Sequence, residues 1–143
     1  MLTGCVYSIH DLSRVQLSAG HPRFNMPFEL GVAIGASWGQ PHRAFVFEKQ
    51  AFRLQRTLSD LNGLDPHPHH NTVGGMVQAV VNALAPHTSA ARIEKLKRAA
   101  RRVVRTVGKM KKKASADGVF SASGFKRVLV AAAAIAKAEK LIK

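Results

Sequence analysis

The chain contains one cysteine, Cys5, in 143 residues. No intrachain disulfide can form, and structural zinc sites built from several cysteines are excluded. No apolar run is long enough to span a bilayer. The opening residues 1–13 carry no basic n-region and reach His10 and Asp11 quickly, so they do not read as a secretory signal. A reducing cytoplasm fits these absences best. Phosphate-binding glycine loops are missing as well. Gly31, Gly35 and Gly39 miss the Gly-x-Gly-x-x-Gly spacing and do not open a helix after a strand. There is no Ser/His/Asp elbow and no internal repeat. Aromatic residues make up only 6% of the chain, which leaves little for base stacking.

What is present suffices for a packed core. Hydrophobic residues make up 46% of the chain, which argues against wholesale disorder. Charge is distributed unevenly. Residues 1–90 hold six Lys or Arg against five Asp or Glu, a net +1, whereas residues 91–143 hold sixteen against three, a net +13. Nucleic acid, anionic lipid or an acidic partner would each suit the basic part.

Residues 4–9 read as a short strand and 14–25 as an irregular connection. A helix is predicted from Met26 or Pro27, because proline suits the first helical position and Asn25 can cap it. Trp38 to Pro41 end it. Residues 43–48 are the best strand, with a continuous apolar centre suited to an interior parallel strand. Residues 50–61 are predicted helical, residues 62–72 a loop with three histidines, and residues 73–84 a second short helix. Residues 89–110 form an amphipathic helix, with Ile93, Leu96, Ala100, Val103, Val107 and Met110 on one side and basic residues elsewhere. A last helix is expected over 121–142, packed antiparallel on its predecessor or serving a partner chain. The fold class is therefore α/β, a partial flavodoxin-like or Rossmann-like parallel sheet with a basic C-terminal helical pair. Residues 1–88 are expected to form the α/β domain and 89–143 a basic extension packing on it.

Two roles fit Glu29, in the first turn of an otherwise apolar helix. It is either a capping carboxylate facing solvent or a carboxylate at the mouth of a sheet crevice, where α/β proteins bind ligands. Asp11, after the first strand, carries the same two readings. Two carboxylates converging on one crevice would support glycosidic-bond chemistry, one stabilising or attacking a cationic centre and another holding ribose hydroxyls. His67, His69 and His70 have a His-x-His spacing that suits one metal ion, but prolines and the lack of a third placed ligand favour a solvated or pocket-edge loop. His10 reads as a structural histidine at a strand end, Cys5 as a buried apolar residue and Trp38 as a packing residue.

The string Tyr7-Ser8-Ile9-His10-Asp11-Leu12-Ser13-Arg14, followed by Pro22-Arg23-Phe24-Asn25-Met26-Pro27-Phe28-Glu29-Leu30-Gly31, resembles a family of bacterial proteins. That family looks like a branch of the nucleoside 2-deoxyribosyltransferase-like and TIR-like superfamily. The pattern extends to Ser59-Asp60-Leu61-Asn62-Gly63-Leu64-Asp65 and a downstream histidine, here His69 or His70. The resemblance covers roughly residues 5–80. It implies cleavage or exchange of an N-glycosidic bond in a nucleoside, nucleotide or NAD. It puts the key glutamate on Glu29 and the pocket aspartate on Asp11. Arg23 and Asn25 would line the rim, with Asp60 and Asp65 as further substrate-binding candidates. Family members carry a strand and loop ahead of the Tyr-x-Ile-His-Asp strand, so one side of the pocket and one central strand are expected to be missing here. No resident cofactor is implied; NAD or a nucleoside would be substrate.

Two other function classes compete. One is a non-catalytic basic protein whose residues 92–113 contact nucleic acid weakly or bind a partner. The other is a truncated, inactive fragment that depends on strand exchange, which makes a homo-oligomer an expected state.

Overall fold

The computed structural model describes residues 5–14, 17–18, 21–22, 24–36, 38–39, 41–53, 56, 65–113 and 121–143, with 17–18, 21–22 and 112–113 as backbone only. Strand β1 (Tyr7–Asp11) leads through a two-residue hairpin, β2 (Leu17–Ser18) and β3 (His21–Pro22), into helix α1 (Asn25–Ala36). Strand β4 (Arg43–Glu48), the two-residue strand β5 (His67–Pro68) and helix α2 (Val73–Leu84) follow. Helices α3 (Ala90–Lys113) and α4 (Ala122–Ala138) complete the chain. It divides into two compact units between Pro86 and His87.

In the first unit β4 lies between β1 and β5, and both pairings are parallel. The expected α/β architecture with a partial parallel sheet is what the chain adopts. The register sets Ser8, His10, Ala44 and Val46 on one face and Tyr7, Ile9, Asp11, Phe45 and Phe47 on the other. Helix α1 covers the first face. Leu30 of α1 joins Leu12 and Val46 in a buried cluster, flanked by Met26, Ile34 and Ala44. On the second face, rings line up from Tyr7 to Phe45 (5.9 Å) and from Phe47 to His67 (5.6 Å, edge-on). Arg43 lies over the Phe45 ring at 5.5 Å, a cation–π contact at the start of β4.

Several local expectations are corrected. Strand β1 begins later than residue 4 and runs through Asp11, so Asp11 is its last residue rather than a loop residue. Cys5 precedes the strand and is exposed. Asn25 lies inside α1, not before it, because the first helical bond runs from Phe28 N–H to the Phe24 carbonyl (2.9 Å). Trp38, expected as a packing residue, is 87% exposed. The loop expected over 62–72 contains β5, whose pairing with Phe47 and Glu48 makes it the sheet's third strand. Of the helix expected over 50–61, residues 50–52 form a bend and turn, with Phe52 at φ 60°, Arg56 is helical, and the remaining residues other than Arg53 lie outside the described residues.

In the second unit the end of α4 returns to the N-terminal half of α3. Arg102 pairs with Glu139 (2.6 Å), and Arg92 donates to the Leu141 carbonyl (3.3 Å). The two helices are therefore antiparallel. Ser121 caps α4 by accepting from Gly124 N–H (3.1 Å). Ala99 and Gly124 are buried in this unit. No described helix is long and apolar enough to cross a membrane.

Candidate functional site

The strands are parallel, so their carboxyl ends share one edge, the edge at which α/β sheets hold ligands. Asp11 ends β1, Glu48 ends β4 and His69 follows β5. Leu12 N–H donates to the Phe47 carbonyl and His69 N–H to the Glu48 carbonyl, both at 2.9 Å, which fastens the three ends together.

Asp11 Oδ1 accepts from the Ser13 amide (3.0 Å) and the Ser13 hydroxyl (2.5 Å). His69 Nε2 lies 2.7 Å from Ser13 Oγ and 3.4 Å from Asp11 Oδ1. His69 Nδ1 accepts from the Asn71 amide at 3.1 Å, which puts the neutral ring's proton on Nε2. The protons thus run from His69 Nε2–H to Ser13 Oγ and from the Ser13 hydroxyl to Asp11. This is the reverse of a hydrolytic triad. There the histidine accepts the serine proton at one nitrogen and binds the carboxylate through the other. Here serine and carboxylate sit on the same nitrogen, and Ser13 and His69 are only 6% and 3% exposed. The cluster is a latch, not a nucleophile. Of the two histidines the sequence left open, His69 joins Asp11 while His70 is exposed.

Burial pushes the Asp11 carboxyl up. The hydrogen bonds from Ser13 and the neighbouring His69 outweigh it, leaving Asp11 below the ordinary value of 3.8. Its side chain is 43% exposed. No described group bonds Oδ2, so that oxygen can accept from a ligand hydroxyl.

Glu48 is 1% exposed and meets Arg53, whose Nη1 donates to Oε1 at 3.0 Å and to the Ser13 carbonyl at 3.1 Å. Lys49 N–H adds a third bond to the cluster, on Oε1 at 2.7 Å. Glu48 Oε2 is buried without a hydrogen-bond partner.

On the α1 side of β1 a second chain of polar groups runs through Ser8, His10 and His42. His42 Nδ1 donates to the Cys5 carbonyl (2.7 Å), so its Nε2 accepts from Ser8 Oγ (2.9 Å). Ser8 Oγ in turn accepts from His10 Nε2 (2.8 Å). This leaves His10 Nδ1 as a buried acceptor with no partner. Burial lowers the His10 pKa from 6.5; Glu29 opposes that shift and His42 adds to it. Glu29 itself is exposed.

The two carboxylates singled out by sequence therefore stand on opposite sides of the β1 end. Glu29 is electrostatically coupled to His10, and Asp11 is held by Ser13 and His69. Asn25 and Asp65 are exposed. Arg23 and Asp60 lie outside the described residues. Among the described residues no group of three His, Cys, Asp or Glu could hold a metal ion. His67 faces Phe45 and Phe47, His69 the Asp11 latch, and His70 solvent.

No family model matches the chain, and no curated protein or solved structure matches it either.

Sequence reasoning missed Ser13, His42, Glu48 and Arg53. Their partners lie up to 56 residues away, so spacing carried no signal for them.

Proposed function

We propose that the unit ending at Pro86 cleaves or transfers the N-glycosidic bond of a nucleoside, nucleotide or NAD. In this reading the Glu29 carboxylate stabilises or attacks the anomeric carbon as the bond to the base breaks and its electron pair leaves with the base. Water or an acceptor base then takes the sugar. The observation that carries the reading is the position of Glu29. It is an exposed carboxylate in the second turn of α1, one turn further in than the sequence places it because the helix already begins at Asn25, and it is coupled to His10 at the carboxyl half of β1. The two carboxylates do not converge on one crevice, so Asp11 supplies the second function from the other side of the β1 end, which requires the substrate to span that end. Ser13 and His69 fix one of its oxygens and leave Oδ2 to accept a ribose hydroxyl. Asn25 and Asp65 complete the candidate rim, with Arg23 and Asp60 as its remaining members.

The test is to incubate the purified chain with NAD and a panel of nucleosides and follow free base by chromatography. The reading expects base release above the uncatalysed rate for at least one substrate. No release from any of them, by a protein whose circular dichroism shows it folded, would contradict it.

A further inference from the structure

Helix α3 carries a feature that glycosidic chemistry does not use. Arg98, Arg101, Arg105 and Lys109 follow one another at intervals of three, four and four residues, so they form a single stripe along the helix. With a rise of 1.5 Å per residue, the stripe is about 16 Å long. All four side chains are exposed. The helix has one carboxylate, Glu94, which pairs with Lys97 at 2.9 Å and acts on Arg98 and Arg101 only from a distance. Glu139 pairs with Arg102 at 2.6 Å, to the side of the stripe. Diametrically opposite lie Leu96, Val103 and Val107, all half-buried.

We propose that this stripe binds the phosphate backbone of duplex nucleic acid without reading its sequence. Three of the four cations are arginines, whose forked donors match phosphate oxygens. A membrane-surface helix must bury its apolar face in lipid, whereas Leu96, Val103 and Val107 of α3 are already half-buried within the protein. The helix has no aromatic residue on which an unpaired base could stack, and that favours a duplex over a single strand. A row of like charges on one helix face repels itself, and phosphates relieve that repulsion.

The experiment measures anisotropy of a labelled duplex of about 20 base pairs against the full chain at several salt concentrations. Four phosphate contacts predict a log–log salt slope between about −3 and −4. Two duplexes of unrelated sequence should bind equally. Changing Arg98, Arg101, Arg105 and Lys109 together to Gln should weaken binding at least about tenfold and flatten the slope. The same number of changes elsewhere in the unit (Lys126, Arg127, Lys137 and Lys143 to Gln) controls for net charge and should leave most of the affinity. Circular dichroism of both variants checks that the helices remain. Four results would overturn the proposal: no binding by the unmodified chain at low salt, equal losses in the two variants, discrimination between the two duplexes, or tighter binding to phosphatidylserine vesicles than to the duplex. The unmodified chain's salt slope stands as a test even if the stripe variant fails to fold.

Discussion

His10 links the fold to pH. Its pKa lies below 6.5 in the folded chain because burial disfavours the imidazolium more than Glu29 supports it. The unfolded chain therefore binds more protons than the folded one as pH falls below 6.5. Stability from this group is present above that value and is lost as pH drops through the folded value. Melting temperature should fall between about pH 7.5 and pH 5. His10→Gln, whose amide can still donate to Ser8, should flatten that dependence; an unchanged profile would show that His10 is not the titrating group. Asp11 acts likewise in a lower window, its contribution vanishing as pH falls below 3.8 and through its folded value. Arg53 supports a second buried charge. Removing it by Arg53→Leu takes the cation away from Glu48, which is 1% exposed, and should cost about 3–5 kcal/mol in urea unfolding. Adding Glu48→Gln to that variant should recover part of the loss. His10 was legible as a structural histidine at a strand end, but the Glu48–Arg53 pair was not. Ser13 and Arg53 are 40 positions apart, and only the turn after β4 brings them together. Trp38 and Cys5 misled in the other direction, since apolar character alone does not decide which residues a small sheet can cover.

Elements with a strong period were legible and short ones were not. Helices α2, α3 and α4 declared themselves by apolar residues at threes and fours, and β4 by its continuous apolar run. Strand β5 has two residues, one a proline, and exists only because β4 offers it an edge. Helix α2 begins with Gly74-Gly75, a poor helix opening by propensity. Packing explains Gly75, because a Cβ there would collide with the His69 carbonyl and crowd the Thr72 hydroxyl. Thr72 Oγ1 in turn accepts from the Gly75 amide at 2.9 Å and caps the helix. Gly75→Ala should therefore destabilise by about 1–3 kcal/mol, although alanine is the better helix former. A neutral or stabilising result would mean that the β5–α2 junction is looser than described. The change should also disturb His69, and with it the latch on Asp11.

At the scale of the molecule, the chain joins a nearly neutral α/β unit to a strongly basic helical one. The repulsion within residues 91–143, net +13, is screened by salt. The helicity of this unit should become more heat-resistant as salt rises from about 0.02 M to about 0.5 M. A decrease would mean that Arg102–Glu139 and Lys97–Glu94 outweigh the repulsion. The sequence predicted the parallel sheet and the basic helical pair, and it singled out Glu29 and Asp11. It did not reveal that they lie on opposite sides of the β1 end, because that depends on β1 extending to residue 11. The division of labour between these two carboxylates is the centre of the functional account. It is tested most directly by base-release kinetics of Glu29→Gln and Asp11→Asn beside the unmodified chain, on whichever substrate is turned over. The account predicts that Glu29→Gln lowers kcat by at least about a hundredfold, while Asp11→Asn mainly raises KM. Unchanged kcat in Glu29→Gln would contradict it.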